Sequence, residues 1–160
     1  MATLAAIYFS SVYPQLPETV AMHFNASGVA DNYQPKSGFL DTLIAVTSAV
    51  AVLVFGVPAI IKILPAQLAN LPNKQYWLSP ERVADTQEFF SAWFAWFGCA
   101  VYFMAVFAFN YAVQFNLHPD NPPSPGRMIW MLSAFIAFTV FWVLRLPLHF
   151  ARVPVSERQS

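Results

Sequence analysis

Charge is absent from three long stretches of this 160-residue chain. No Asp, Glu, Lys or Arg occurs from Thr42 to Ile61, from Phe89 to Pro119, or from Met128 to Leu144. A helix needs about 20 apolar residues to cross a hydrocarbon layer about 30 Å thick. Inside lipid every backbone amide must be bonded within the protein, so such runs are expected to be helices. They predict spans at 41–64, 89–115 and 128–148. Composition closes off the soluble alternative. The chain is 58% hydrophobic and 10% charged, against about 25% charged in an ordinary soluble domain. That leaves too little polar sequence to wrap three buried helices.

The prolines punctuate the same pattern. Thirteen are present, and of these only Pro58 lies well inside a predicted span, with Pro147 at the end of another. Proline lacks a backbone donor and its ring clashes with the preceding turn, so Gly56-Val57-Pro58 predicts a kink. Residues 1–13 form a fourth apolar segment. As helix it reaches only about 20 Å, so a short helix packed on the others is expected. The fold class is therefore an all-α integral membrane protein, a single membrane domain over 1–160. It has three full transmembrane helices, the short N-terminal apolar helix and a connecting segment at 14–40.

Eight basic residues balance eight acidic ones, so there is no global field to attract nucleic acid. The lone Cys99 allows no intrachain disulfide and no cysteine cluster for a metal. No phosphate-binding glycine loop, HExxH or serine elbow occurs. The chain is expected to be non-enzymatic, with no cofactor and no metal. No charge lies near the middle of any span, which disfavours an ion pathway.

Basic residues collect in cytoplasmic loops. Lys62, Lys74, Arg82, Arg145, Arg152 and Arg158 flank the connector at 65–88 and the tail at 149–160; only Lys36 and Arg127 flank the other two loops. The connector and the C-terminus are thus expected to be cytoplasmic, and 14–40 and 116–127 extracytoplasmic. In the connector, Ser79-Pro80-Glu81 has the order of an N-cap, a first-turn proline and a carboxylate at the positive helix end. Tyr76, Trp77, Glu81 and Arg82 are candidate cytoplasmic contact residues, with a plain helix entrance as the other reading.

The segment 14–40 is the least generic part of the chain. Thr19 to Phe24 alternates like a short strand. Asn25 to Gly28 has the composition of a turn, with Gly28 free to take positive φ, and Asp31-Asn32 is a second turn signal. A small hairpin-like or extended extracytoplasmic cap is expected. The order Leu16-Pro17-Glu18, Val20, His23-Phe24-Asn25, Gly28, Asp31 and Lys36 resembles a bacterial membrane domain-of-unknown-function family related to the Sdp-toxin immunity protein. The block from Leu71 to Arg82 is similar to the cytoplasmic loop of its stand-alone members. The resemblance implies a bacterial plasma-membrane location and an immunity-like role. It also implies a complete first transmembrane helix, of which this chain carries only a short part.

Histidine switches charge near neutral pH and can ligate, donate or accept, which makes His23 the sharpest candidate. A turn at Asn25–Gly28 would return Asp31 to its side. His23, Asn25, Asp31, Tyr33 and Lys36 are candidate partner-binding residues. Gly28, with Asn110 and Gln114 (i,i+4 neighbours at the outer end of a span), is a candidate support for the loop. The bland alternatives are a loop held by its own hydrogen bonds and polar glue between helices. Ser91, Ala95 and Cys99 form a small-residue stripe that would admit a neighbouring helix. The expected partners are the lipid bilayer and a peptide or membrane protein recognised by the His-Phe-Asn loop. The alternative function is a structural subunit of a larger membrane complex.

Overall fold

The computed structural model describes residues 2–25, 27–63 and 70–153. The 65–69 part of the connector, the tail beyond Val153 with Arg158, and the Lys62 side chain, on which part of the sidedness count rests, lie outside the described residues. Helix α1 (Ala2–Val12) runs into a 3₁₀ turn (Tyr13–Gln15), and strands β1 (Thr19–Phe24) and β2 (Ala30–Pro35) follow. Helix α2 (Lys36–Ala51) passes through a π turn (Val52–Gly56) into α3 (Val57–Ile63). A single-turn α4 (Lys74–Trp77) precedes the long helices α5 (Val83–Leu117) and α6 (Pro125–Ala151).

Among the described residues three helical stretches are long and apolar enough to cross a membrane, as in a multi-pass membrane protein: Lys36–Ile61, Val83–Leu117 and Pro125–Ala151, of 26, 35 and 27 residues. Each begins before the charge-free run it overlaps, and the third also ends beyond its run. At about 1.5 Å per residue, α5 is roughly 50 Å long and overshoots an apolar layer of about 30 Å. Its first turns carry Asp85 and Glu88. Helix α1 is 11 residues long, about 17 Å. The mostly helical architecture also holds a two-stranded antiparallel sheet, the small hairpin expected within 14–40.

The kink expected at Pro58 takes a specific form. Proline cannot donate to the carbonyl four residues back and its ring presses on that turn. The chain answers with one π turn, Val52–Gly56, immediately upstream. Widening the turn moves the crowded carbonyl away.

The chain divides into two units, Met1–Ala49 with Val101–Phe135, and Val50–Ala100 with Ile136–Ser160. The first has a core of Phe9, Val12, Leu16, Val20, Phe39, Phe109, Ala112 and Val113. Phe9, Phe39 and Phe109 meet edge to face, with centroids 6.1, 6.0 and 5.3 Å apart, an arrangement worth about 1 kcal/mol per pair beyond area burial. The second unit is held by aromatic stacking. Trp142 lies on Trp93 and Phe97 at 4.8 and 4.5 Å, and its indole N–H points to the Trp93 carbonyl at 3.4 Å.

The small-residue stripe operates one position away from where it was expected. Cys99 is exposed. Gly98 is the point of close approach: a Cβ there would lie 2.1 Å from Val54 Cγ2 in the π turn. The widened turn seats against the one position of that stretch of α5 that has no side chain.

Candidate functional site

The hairpin is built from its turn outward. The Asn25 side-chain oxygen accepts the amides of Ser27 and Val29 at 2.9 and 3.1 Å. Its backbone amide donates to the Val29 carbonyl at 2.9 Å, and its carbonyl accepts from Gly28 at 2.8 Å. Such local bonds are why Asn favours turns. Gly28 sits at φ +74°, and a Cβ there would lie 2.3 Å from Pro125 Cγ. Glycine is required twice over, for the left-handed backbone and for contact with the first residue of α6.

Asp31 and Asn32 do not form the second turn expected of them; both lie in β2. The cause is in the register. Thr19, Val20 and Ala21 pair with Pro35, Gln34 and Tyr33, but His23 pairs with Asn32 and Phe24 with Ala30. Met22 is an extra residue on one strand and Asp31 on the other. Bulges of this kind bend a strand and re-aim its side chains. Here they flank His23 and leave Asp31 free to meet it. His23 Nδ1 and Asp31 Oδ1 are 2.5 Å apart. A carboxylate only accepts, so Nδ1 carries the hydrogen and donates it. Nε2 is left for something else, as an acceptor in the neutral ring or a donor in the imidazolium. The side chains are 69% and 43% exposed, so the pair adds little to stability. Tyr33 is also exposed, at 59%.

The other sequence candidates are placed differently. Lys36 Nζ donates to the carbonyls of Pro14 and Leu16 at 3.2 and 3.0 Å and lies over the Tyr13 ring at 5.0 Å. It ties the first residue of α2 to the segment after α1 rather than reaching outward. Asn110 and Gln114 do not touch the hairpin: their amide nitrogens donate to the Tyr8 hydroxyl, at 2.6 and 3.3 Å, and hold α1. Support for the hairpin comes from Asn116, which sequence reasoning passed over. Its Oδ1 accepts the Ala21 amide at 2.8 Å, and its Nδ2 donates to the Ala21 carbonyl at 3.0 Å and to Ala112 at 2.7 Å. Phe24 adds edge contacts with Tyr111 and Phe115 at 5.2 and 4.8 Å. A polar amide near the end of an otherwise apolar helix was the available signal.

Trp77 of the connector turns inward, whereas Glu81 is exposed. Trp77 Nε1 donates to the Phe150 carbonyl at 2.9 Å, and Asn73 Nδ2 donates to the carbonyls of Phe150 and Ala151 at 3.0 and 3.1 Å. These carbonyls end α6 and have no partner within the helix. Thr86, buried at 4% exposure, donates to the Trp77 carbonyl at 2.8 Å. His149 stacks on Phe89 at 4.2 Å. The Arg82 guanidinium covers the Tyr76 ring at 4.3 Å. Ser79 does start the helical turn, its carbonyl accepting from Arg82 and Val83 at 3.0 and 2.9 Å. The exposed Glu81 carboxyl is held below the ordinary carboxylate range by its own backbone amide and then by the Ser79 hydroxyl, with a smaller contribution from Arg82.

Among the described residues no three His, Cys, Asp or Glu side chains converge to hold a metal. The hairpin is thus a turn-locked, two-stranded platform fastened by Asn116, Gly28 and Phe24, with the His23, Asp31 and Tyr33 side chains exposed. Residues 1–47 match the family model described as "Domain of unknown function (DUF1648)". The match takes in α1, the hairpin and most of α2. No curated protein and no solved structure matches the chain.

Proposed function

We propose that this is a non-enzymatic protein of a bacterial plasma membrane that recognises a peptide or a partner protein through its hairpin. One candidate span, Lys36–Ile61, separates the hairpin from the Tyr76-Trp77 connector in sequence, which supports reading them as facing opposite sides. The excess of basic residues around the connector and tail makes that side cytoplasmic. The hairpin then faces outward. An immunity-like role, binding a toxic peptide before it acts, is the form suggested by resemblance to relatives of the Sdp-toxin immunity protein.

One observation carries the reading: the His23–Asp31 pair is exposed on a platform that is otherwise fastened down. An exposed ion pair contributes little to folding, so two register shifts that bring it together have little purpose in stability. Asn116 occupies the Ala21 amide and carbonyl on the β1 side, so an added peptide strand would pair with the outer edge of β2.

A photo-crosslinking residue at Tyr33 in native membranes tests this. A discrete peptide or protein adduct is expected, and His23→Ala should abolish it while the chain still inserts. Loss of His23→Ala from the membrane would mark the histidine as structural and remove the proposal. Stoichiometric subunits that co-purify in mild detergent, indifferent to His23→Ala, would instead favour the structural-subunit reading.

A further inference from the structure

A groove of about 360 Å³ runs between α5 and α6, within the second unit. Its walls include Phe89, Trp96, Phe138, Phe141 and Trp142, and Arg145 is the charged residue of its lining. Trp96 and Phe141 are 72% and 61% exposed. Among the described residues Arg145 makes no ion pair. An aromatic trough beside an unpaired guanidinium is thus left open.

The position of the groove along the helices says what fits it. The charge-free run of α5 begins at Phe89, directly after Glu88. That of α6 ends at Leu144, directly before Arg145. Both border positions, Phe89 and Arg145, line the groove, so its mouth lies where hydrocarbon gives way to headgroups and the rest of it lies within hydrocarbon. Arginine and tryptophan are the residues that favour that depth.

We propose that this groove holds one anionic phospholipid, its phosphate on the Arg145 guanidinium and an acyl chain along the aromatic wall. The planar guanidinium matches two phosphate oxygens at once. A free anion would use Arg145 and leave the apolar wall uncovered. A second protein helix would need a carboxylate at the same depth. A phospholipid brings phosphate and chain together, already at the right level. The assignment is independent of what the hairpin recognises.

The test uses the full chain in nanodiscs of mixed phosphatidylglycerol and phosphatidylcholine, with retained lipid counted by native mass spectrometry. One phosphatidylglycerol per chain is expected, preferred over phosphatidylcholine by about fivefold, the effect of one basic residue at a membrane surface. Arg145→Gln should bring the two lipids to parity. Ala92→Trp, at another wall position, fills the groove and should release both. Equal retention of the two lipids by the unsubstituted chain would overturn the proposal, and that measurement decides the matter even if Arg145→Gln fails to accumulate. Displacement by millimolar inorganic phosphate, or a lipid-free dimer, would overturn it too, in favour of a free anion or a second copy.

Discussion

At the scale of single residues, the polar side chains of this apolar chain are mostly spent on backbone groups that would otherwise go unpaired. Asn116 grips both backbone groups of Ala21. Asn73 and Trp77 close the end of α6. Lys36 closes the turn after α1. Leaving such groups unsatisfied where water is scarce costs about 1–3 kcal/mol each. Asn116→Ala should therefore lower stability by about 2–4 kcal/mol, since it strands an amide and a carbonyl together. Thermal unfolding in detergent measures the loss. Amide exchange should place it at Ala21, while the α5–α6 aromatic stack stays protected. Protection at Ala21 unchanged by the substitution would show that the hairpin is held by other contacts. His23 was readable as the distinctive side chain of its segment, and its pairing with Asp31 followed from a turn at Asn25–Gly28. Asn116 was not readable, because an amide at a helix end has many possible partners and only the folded chain selects one.

At the scale of elements, backbone punctuation shapes the helices more than side-chain pattern does. Pro58 forces a widened turn, and Gly98 makes room for it. Gly98→Ala should clash with Val54 and destabilise the chain by about 1–3 kcal/mol. Val54→Ala in the same chain should recover most of that loss, because it removes the methyl group that a Cβ would strike. Comparing unfolding of the two single variants and the double variant checks the coupling; simple additivity would mean that the contact is not what matters. Strand β1 was legible to the residue, since Thr19–Phe24 alternates and runs directly into the Asn25–Gly28 turn signal. Strand β2 was legible only in part. Asp31-Asn32 has turn composition, but pairing with β1 overrode local preference, as tertiary context commonly does for strands. In the connector, Asn73 and Trp77 cover the end of α6 through the Phe150 and Ala151 carbonyls, an arrangement that no local pattern announces.

At the scale of the whole molecule, the three apolar helices decide where the chain resides, and the loops between them decide what each side can meet. Single cysteines at Ser27 and Gln75, both exposed and introduced into a Cys99→Ser chain, should react with an impermeant thiol reagent from opposite faces of the membrane. Labelling of both from the same face would remove the proposed topology and the outward-facing platform with it. The charge-free runs by themselves determined that three helices of membrane-crossing length exist and roughly where they lie, because a charge in hydrocarbon is costly wherever its neighbours are. Only the tertiary structure decided which polar groups meet: Asn110 and Gln114 with Tyr8, Asn116 with the hairpin, Trp77 with the last turn of α6. Lipid compatibility is a property of each segment read alone. A hydrogen bond across the fold depends on a distance between residues far apart in the chain, and no local pattern encodes that distance.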